Sequence, residues 1–241
     1  NLKEYTNMTN SFTLFSGFSR ERWAVTLPLF YSYYSLQGEK SLSFLNDISW
    51  WNVTRYMEHY GGNPTLRFLL RPNIIAEMSV GVSKKRYFKT LLHPRPIVDE
   101  EVRDADIISF SFGFAGSFKE GKSIVAVRYT FGKEHTKGRN WSIEQENRFS
   151  LSVSYPLDEL IRVPLKLQLS SDLSFPKYKY PHSAFETKRR DDIYNLTGGL
   201  IYNLAKGVDL TAQYTYVRSK SNIAIYDYKR EITALGFEYK F

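Results

Sequence analysis

Apolar and polar residues alternate with a period of two through most of the sequence. From residue 208 to residue 216 the even-numbered positions are all apolar and the odd-numbered positions are all polar. Such alternation predicts a β-strand with one face in an apolar environment. The segments run for about ten residues or more, whereas strands of soluble sandwiches have about five or six. About ten is the length that a tilted strand needs to cross a bilayer.

The polar faces share a composition that indicates where they point. At residues 74–83 and 107–118 they are rich in Gly and Ser, and elsewhere Thr, Arg, Lys and Glu recur on them. This composition is typical of a barrel interior, where side chains meet water or one another. The alternation predicts eleven strands, at residues 10–19, 22–36, 53–70, 74–88, 104–118, 122–136, 141–155, 160–174, 189–204, 207–219 and 227–241.

These segments predict one all-β domain over residues 1–241, a transmembrane antiparallel up-and-down β-barrel of about 12 strands, within a range of about 10 to 14. Short turns alternate with longer polar connections, as in bacterial barrels. An even strand count requires one more strand. We expect residues 1–8 to be its remnant, and two strands within residues 41–70 are the other possibility. The chain starts at Asn1 without Met, so we also expect that an N-terminal strand or periplasmic region is missing. A soluble β-sandwich is the alternative fold.

Composition and motifs argue against several classes of function. The chain has no Cys and a formal net charge of +8 spread along its length, so thiolate chemistry is excluded and a nucleic-acid-binding arm is not indicated. The sequence has no run of about 18 apolar residues, the length that a membrane-spanning helix requires. The histidines show no metal-ligand spacing, and no cofactor motif occurs. Candidate catalytic residues are His182-Ser183, which lies in a predicted long loop, and the pairs Asp191-Asp192 and Glu100-Glu101, which we interpret as charged residues at the rim of the barrel. We therefore expect that the protein is not an enzyme and that it binds no cofactor or metal ion. The four histidines are His59, His93, His135 and His182.

The final strand places aromatic residues at alternate positions up to the last residue. Phe237, Tyr239 and Phe241 share one face. This pattern resembles the C-terminal assembly signal of outer-membrane barrels. The resemblance implies a bacterial outer-membrane location, with outer-membrane lipid and the barrel-assembly machinery as partners.

A wider resemblance covers residues 190–241. Its residues are Arg190-Asp191-Asp192, Tyr214, Tyr216, Ser221-Asn222, Tyr226-Asp227-Tyr228, Arg230 and Phe241. They resemble the terminal hairpins of outer-membrane proteins whose barrel follows a periplasmic tetratricopeptide region, such as the surface lipoprotein assembly modifier family and related porin-type proteins. The resemblance implies a barrel and a possible periplasmic domain or partner. No tetratricopeptide repeat occurs in this sequence, so it implies an export role less directly.

If the apolar faces contact lipid, the residues that line the lumen follow from the alternation. Cations outnumber anions among them, which suits passage of an anionic solute, a polymer or an exported protein. The alternatives are a closed structural barrel that anchors a periplasmic or surface partner, and an outer-membrane hydrolase. The predicted lumen-lining residues are Arg67, Arg71, Lys85, Arg128, Arg148, Arg162, Lys166, Arg230, Glu77, Glu144, Glu146 and Asp209, with Asp172, Glu238 and Lys240 on the same faces.

Overall fold

A computed structural model of the chain describes residues 5–38, 53–88, 102–205 and 207–239. These residues form one antiparallel sheet in which sequential strands pair. The described helical elements are one α-helical turn at Asp158–Ile161 and two 3₁₀ turns at Arg139–Trp141 and Ala224–Tyr226. None of the described helices is long and apolar enough to cross a membrane. The strands are Tyr5–Arg20 (β1), Trp23–Gly38 (β2), Val53–Gly62 (β3), Thr65–Arg71 (β4), Ile74–Tyr87 (β5), Ala105–Phe118 (β6), Ser123–Thr136 (β7), Ile143–Pro156 (β8), Leu165–Pro181 (β9), Lys188–Ala205 (β10), Val208–Ser221 (β11) and Tyr228–Tyr239 (β12).

The strands β3 and β4 share one position in the sheet, between β2 and β5. The interruption falls at Asn63 and Pro64, since proline has no backbone N–H to donate to a ladder. Neighbouring strands bridge the gap: the amide of Asn63 donates to the carbonyl oxygen of Pro28 at 3.1 Å, and that of Val80 donates to Pro64 at 3.1 Å. Because β3 and β4 lie end to end and together make one crossing, the twelve described strands cross the sheet eleven times.

The predicted all-β barrel architecture and about twelve strands are confirmed, but the preferred explanation of the strand count is wrong. Residues 5–8 belong to β1, where Tyr5 pairs with Gly38, so they are not the remnant of another strand. The extra strand comes from the region after residue 52, which holds β3 and β4 end to end. Because these two strands form one crossing, the alternation of short and long connections survives.

The two ends of the sheet carry connections of different length. At one end the connections are residues 21–22, 72–73, 119–122, 157–164 and 206–207, and at the other they are 39–52, 88–104, 137–142, 182–187 and 222–227. Bacterial barrels have their shorter turns on the periplasmic side and longer loops outside. We therefore call the end with the longer connections the outer end.

The alternation sorts side chains onto two faces. On β6, Phe110, Phe112 and Phe114 are 41%, 38% and 40% exposed, while Ser111 and Gly113 between them face the other way. Rings of this size stay exposed on a folded protein only where lipid or another apolar surface covers them. The apolar face is therefore the outside of the barrel, and the small polar residues line its interior.

Contacts across the interior show that the inner face is concave. Arg128 on β7 reaches Glu77 on β5 across the intervening β6. The rings of Trp141 and Tyr226 lie 6.0 Å apart, although their connections are separated by four strands. The edges of the described sheet are β1 and β12, and within the described residues these two strands are not paired with each other.

Candidate functional site in the lumen

Five of the predicted lumen charges lie on one row of residues that are direct cross-strand partners. Because barrel strands are tilted, such a row climbs obliquely around the wall. We call it the charged row. From β4 to β12 it consists of Arg67, Glu77, Gly113, Arg128, Ser150, Asp172, Asn195, Val217 and Arg230.

The charged row contains a three-residue ionic network in its first four positions. Nε of Arg67 donates to a carboxylate oxygen of Glu77 at 2.8 Å, and the other oxygen accepts from Arg128. In the charged row Gly113 lies between Glu77 and Arg128. A Cβ at Gly113 would stand 2.6 Å from the carbonyl oxygen of Val127. Glycine leaves the close approach open, so the arginine can reach across β6.

A second network lies beside the first on β8 and β9. Arg148 contacts Glu146 and Asp172, each with 3.3 Å between nitrogen and oxygen. The hydroxyl of Ser150 donates to Asp172 at 2.8 Å, and that of Ser174 donates to Glu146 at 2.5 Å. The carboxylates are thus held from two sides, so they are fixed against the wall.

Lys85 on β5 is another predicted lumen residue that has an ionic partner. Its ammonium group lies 2.9 Å from a carboxylate oxygen of Glu134 on β7, which again spans β6. Both side chains are mostly buried, at 25% and 20% exposure. This pair ties two crossings together and offers little charge to the lumen.

The cations of the two networks are more exposed than their carboxylate partners. The side chains of Arg67, Arg128 and Arg148 are 49%, 52% and 48% exposed. Those of Glu77, Glu146 and Asp172 are 18%, 27% and 40% exposed. The six formal charges cancel, but the guanidinium groups are the more exposed members of these networks. Arg67 and Arg128, with Glu77 and Asp172, are among the residues of β4 to β10 that line a cavity of about 560 Å³.

Three other predicted lumen residues lie apart from these networks. Lys166 and Asp209 both line a cavity of about 320 Å³ near the end with the short turns. Asp209 also accepts a hydrogen bond from Nδ2 of Asn203 at 2.9 Å. Arg71 ends β4 at the same end of the barrel and is exposed.

The structure does not bring Arg162 or Glu144 into the charged row. The predicted strand start at residue 160 is wrong: Asp158–Ile161 is a helical turn, Arg162 follows it with φ of +56°, and β9 begins at Leu165. Arg162 is therefore an exposed residue of a connection. At Glu144 the register shifts, which breaks the alternation and leaves that carboxylate exposed near the outer end.

The aromatic residues of the predicted assembly signal lie at the edge of the sheet. Phe237 and Tyr239 on β12 are 66% and 55% exposed. They pair with Leu210 and Val208 of β11, which places them near the short turns. Phe241 lies outside the described residues. Their role in assembly stays a prediction.

The outer end of the barrel contains a buried cluster around a guanidinium group. Arg189 lies over the ring of Tyr226 at 3.4 Å and over that of Tyr178 at 4.5 Å. Its Nε and Nη2 contact the carboxylate of Asp191, with 2.6 Å for the shortest pair. The Asp191 side chain is fully buried. Trp141 stands between this arginine and Arg103, at 5.8 Å and 3.8 Å from their guanidinium carbons.

Hydrogen bonds join three connections around that cluster. Nδ2 of Asn140 donates to the hydroxyl of Ser183 at 2.8 Å, and the amide of Ser183 donates back to Oδ1 of Asn140 at 2.8 Å. Nε2 of His182 lies 2.9 Å from the Tyr226 hydroxyl. Residues 137–142, 182–187 and 222–227, with the Arg189 cluster, therefore form one packed unit, which we call the outer cap.

These contacts give the candidate catalytic pair structural partners. Nδ1 of His182 accepts a hydrogen bond from the amide of Ala184 at 3.2 Å, so Nε2 carries the proton and donates to Tyr226. Ser183 bonds Asn140 instead of the imidazole. Nothing in this geometry activates the serine as a nucleophile. Within the described residues no group of three His, Asp or Glu side chains is placed to hold a metal ion.

Sequence reasoning did not single out Arg189 as a partner of Asp191. The signal was available, because alternation within β10 puts both residues on the face of Asn195 and Thr197. The alternation could not predict which aromatic rings contact Arg189, because those rings belong to β9 and to two separate connections.

The last part of the chain is similar to a known protein family. The family described as "Putative beta-barrel porin 2" matches residues 150–241. A search of the curated proteins finds no significant match. OmpT, an outer membrane protein of Vibrio cholerae, is a similar solved structure at 10% identity and a TM-score of 0.48, over 98% of this chain and 95% of that one. The ferric enterobactin receptor PfeA gives 14% identity and a TM-score of 0.48, and there the match spans only 40% of the receptor chain.

The strands, their lipid-facing rings and the porin family match define the class of protein. The chain forms a porin-like β-barrel of the bacterial outer membrane. The family match begins in β8 and covers two of the three connections of the outer cap and five of the nine residues of the charged row.

Proposed function

We propose that the barrel provides passage for small anionic solutes along the charged row. The observation that carries this proposal is the difference in exposure between the lumenal guanidinium groups and the carboxylates that hold them. Arg67, Arg128 and Arg148 are about half exposed, while Glu77 is 18% exposed. A passing ion therefore meets the positive end of each pair first.

Arginine suits this role for a physical reason. Its planar fork presents several donors at once, so a carboxylate or phosphate can bind one edge while the other edge stays paired with the wall. The pairing also lowers the affinity of each site, and conduction needs sites that release their ion as readily as they bind it.

The proposal is tested by the ion selectivity of the refolded protein in planar bilayers. We expect a reversal potential of the anion-preferring sign in a salt gradient. Arg128→Gln is expected to lower the anion-to-cation permeability ratio by at least about twofold, because it removes a half-exposed cation from the lumen and leaves Glu77 less neutralised.

Arg86→Gln provides the matched control. Arg86 lies on β5 like Glu77, but its position in the alternation faces away from the lumen. The same charge change there should leave the reversal potential unaltered. Cation preference in the unmodified protein, or equal shifts in the two variants, would contradict the proposal.

The outer cap favours a second candidate, a barrel closed at its outer end that anchors a partner. Arg189 and Asp191 face inward, yet they are buried by the cap, so this part of the lumen is filled. Folded protein that inserts into bilayers without conducting would select this candidate. Export of a polymer or protein, which the tetratricopeptide-linked resemblance suggests, needs a wider opening and would require the cap to move.

A further inference from the structure

The outward face of β9, β10 and β11 changes from apolar to basic near the outer end. On β9 the outward residues Leu173 and Phe175 are followed by Lys177 and Lys179, which are exposed. On β10 the outward residues beyond Tyr194 are Asp192 and Arg190. On β11 those beyond Tyr216 are Arg218, which pairs with Asp227, and Lys220. Both Arg190 and Lys220 are exposed. We call Lys177, Lys179, Arg190 and Lys220 the outer basic patch.

Two cations of this patch face each other directly. Lys177 and Arg190 are cross-strand partners, an arrangement that is destabilising for like charges. Within the described part of the chain, no ion pair joins either of them to a carboxylate. The carboxylates nearest in the alternation are Asp192, opposite Lys220, and Glu144 at the register shift. The patch therefore keeps an excess of positive charge.

Two other outward-facing lysines form ion pairs with carboxylates of the same chain. Lys84 lies 3.1 Å from Asp106, and Lys229 lies 2.6 Å from Glu231. Within the described residues Arg86 and Lys133 also face outward without an ion pair. The direct opposition of Lys177 and Arg190 is what sets the outer basic patch apart.

A chain of aromatic rings fixes the depth of the patch in the membrane. Neighbouring rings of Tyr129, Phe149, Phe175 and Tyr194 lie 5.0 Å, 6.4 Å and 6.4 Å apart along the outside of β7 to β10. Aromatic girdles of this kind mark the interface between hydrocarbon and headgroups. Beyond Phe175 and Tyr194, toward the outer end, the next outward residues are charged, which places them at the level of the outer-leaflet headgroups.

We propose that the outer basic patch binds the phosphate groups of a phosphorylated glycolipid of the outer leaflet. The opposed Lys177 and Arg190 supply two converging cations for one phosphate, and the apolar face with its aromatic girdle lies directly below for the acyl chains. The ligand is thus amphiphilic, with anionic groups above and hydrocarbon beneath. This site is separate from the lumen, and it does not depend on passage of solutes.

The test measures retention of bisphosphorylated lipid A by purified full-length protein in detergent micelles, with dephosphorylated lipid A as the second probe. We expect the unmodified protein to retain the phosphorylated form selectively. Lys177→Gln/Arg190→Gln should weaken that binding about tenfold or more at low salt. Arg20→Gln/Lys122→Gln removes the same charge near the short turns, and it should keep the affinity.

A second readout separates binding from general charge effects. Without phosphorylated lipid, Lys177→Gln should raise the midpoint of thermal unfolding, because it relieves the like-charge pair; with the lipid, that gain should be lost. Equal retention of both lipid forms, or an equal loss in the control variant, would overturn the proposal. Displacement of the lipid by millimolar inorganic phosphate would assign the site to free phosphate and would overturn the glycolipid as ligand.

Discussion

Replacing Asp191 with alanine is expected to lower the free energy of unfolding by about 3–5 kcal/mol, the range for a buried ion pair that loses one partner. The fully buried carboxylate is the ionic partner of Arg189, whose side chain is only 10% exposed. Nη1 of Arg189 already has no hydrogen-bond partner within the described structure. Without the carboxylate, the guanidinium would keep its contacts with the rings and lose its counter-charge.

The neighbouring residue supplies the control for this prediction. Asp192 faces outward and is exposed, so Asp192→Ala should change stability by less than about 0.5 kcal/mol. Urea unfolding in lipid vesicles, followed by tryptophan fluorescence, would measure both. Arg189→Met/Asp191→Ala should recover part of the loss, because it removes the stranded charge as well. Similar losses for Asp191→Ala and Asp192→Ala would show that the outer cap is not held by this pair.

Gly61→Val is expected to cost at least about 2–3 kcal/mol, since it overpacks a site whose neighbours are backbone. A Cβ at Gly61 would stand 2.3 Å from the carbonyl oxygen of Val82 and 2.5 Å from Cβ of Ser83. Neither atom can move aside by changing a rotamer, so β3 must separate from β5 to admit the side chain. The fraction of folded barrel, seen as heat-modifiable migration on gels, should fall accordingly.

Gly132→Ala tests whether the effect belongs to the site or to glycine itself. The nearest atom to a Cβ at Gly132 is 3.7 Å away, an ordinary contact. Alanine there should be neutral or slightly stabilising, because glycine weakens a strand interior. If both variants lost stability equally, the close packing of β3 on β5 would not be the cause.

The alternation of the sequence predicted the crossings because each depends on a local property. A period of two shows in any stretch with lipid on one side, and the start of β5 at residue 74 was predicted to the residue. It did not reveal the interruption at Asn63 and Pro64, because hydrophobic alternation averages over a single break. It also missed the helical turn before β9, since Asp158–Ile161 is too short to show a helical period.

The lumen charges were predicted as a set but not as a network. The alternation predicted that Arg67, Glu77 and Arg128 share the inner face. Only the register of β4 to β7 shows that they are neighbours around Gly113. The cluster around Arg189 was harder to predict from the sequence, because its aromatic rings belong to residues 141, 178 and 226, which are far apart in the chain. Contacts between distant connections follow from curvature, which a period does not encode.

The eleven crossings have a consequence for the sidedness of the chain. With an odd number, β1 and β12 run in the same direction, so β1 starts on the outside of the cell and β12 ends toward the periplasm. Two edges that run in the same direction can pair with each other only in parallel, unlike every neighbouring pair of strands within the described sheet.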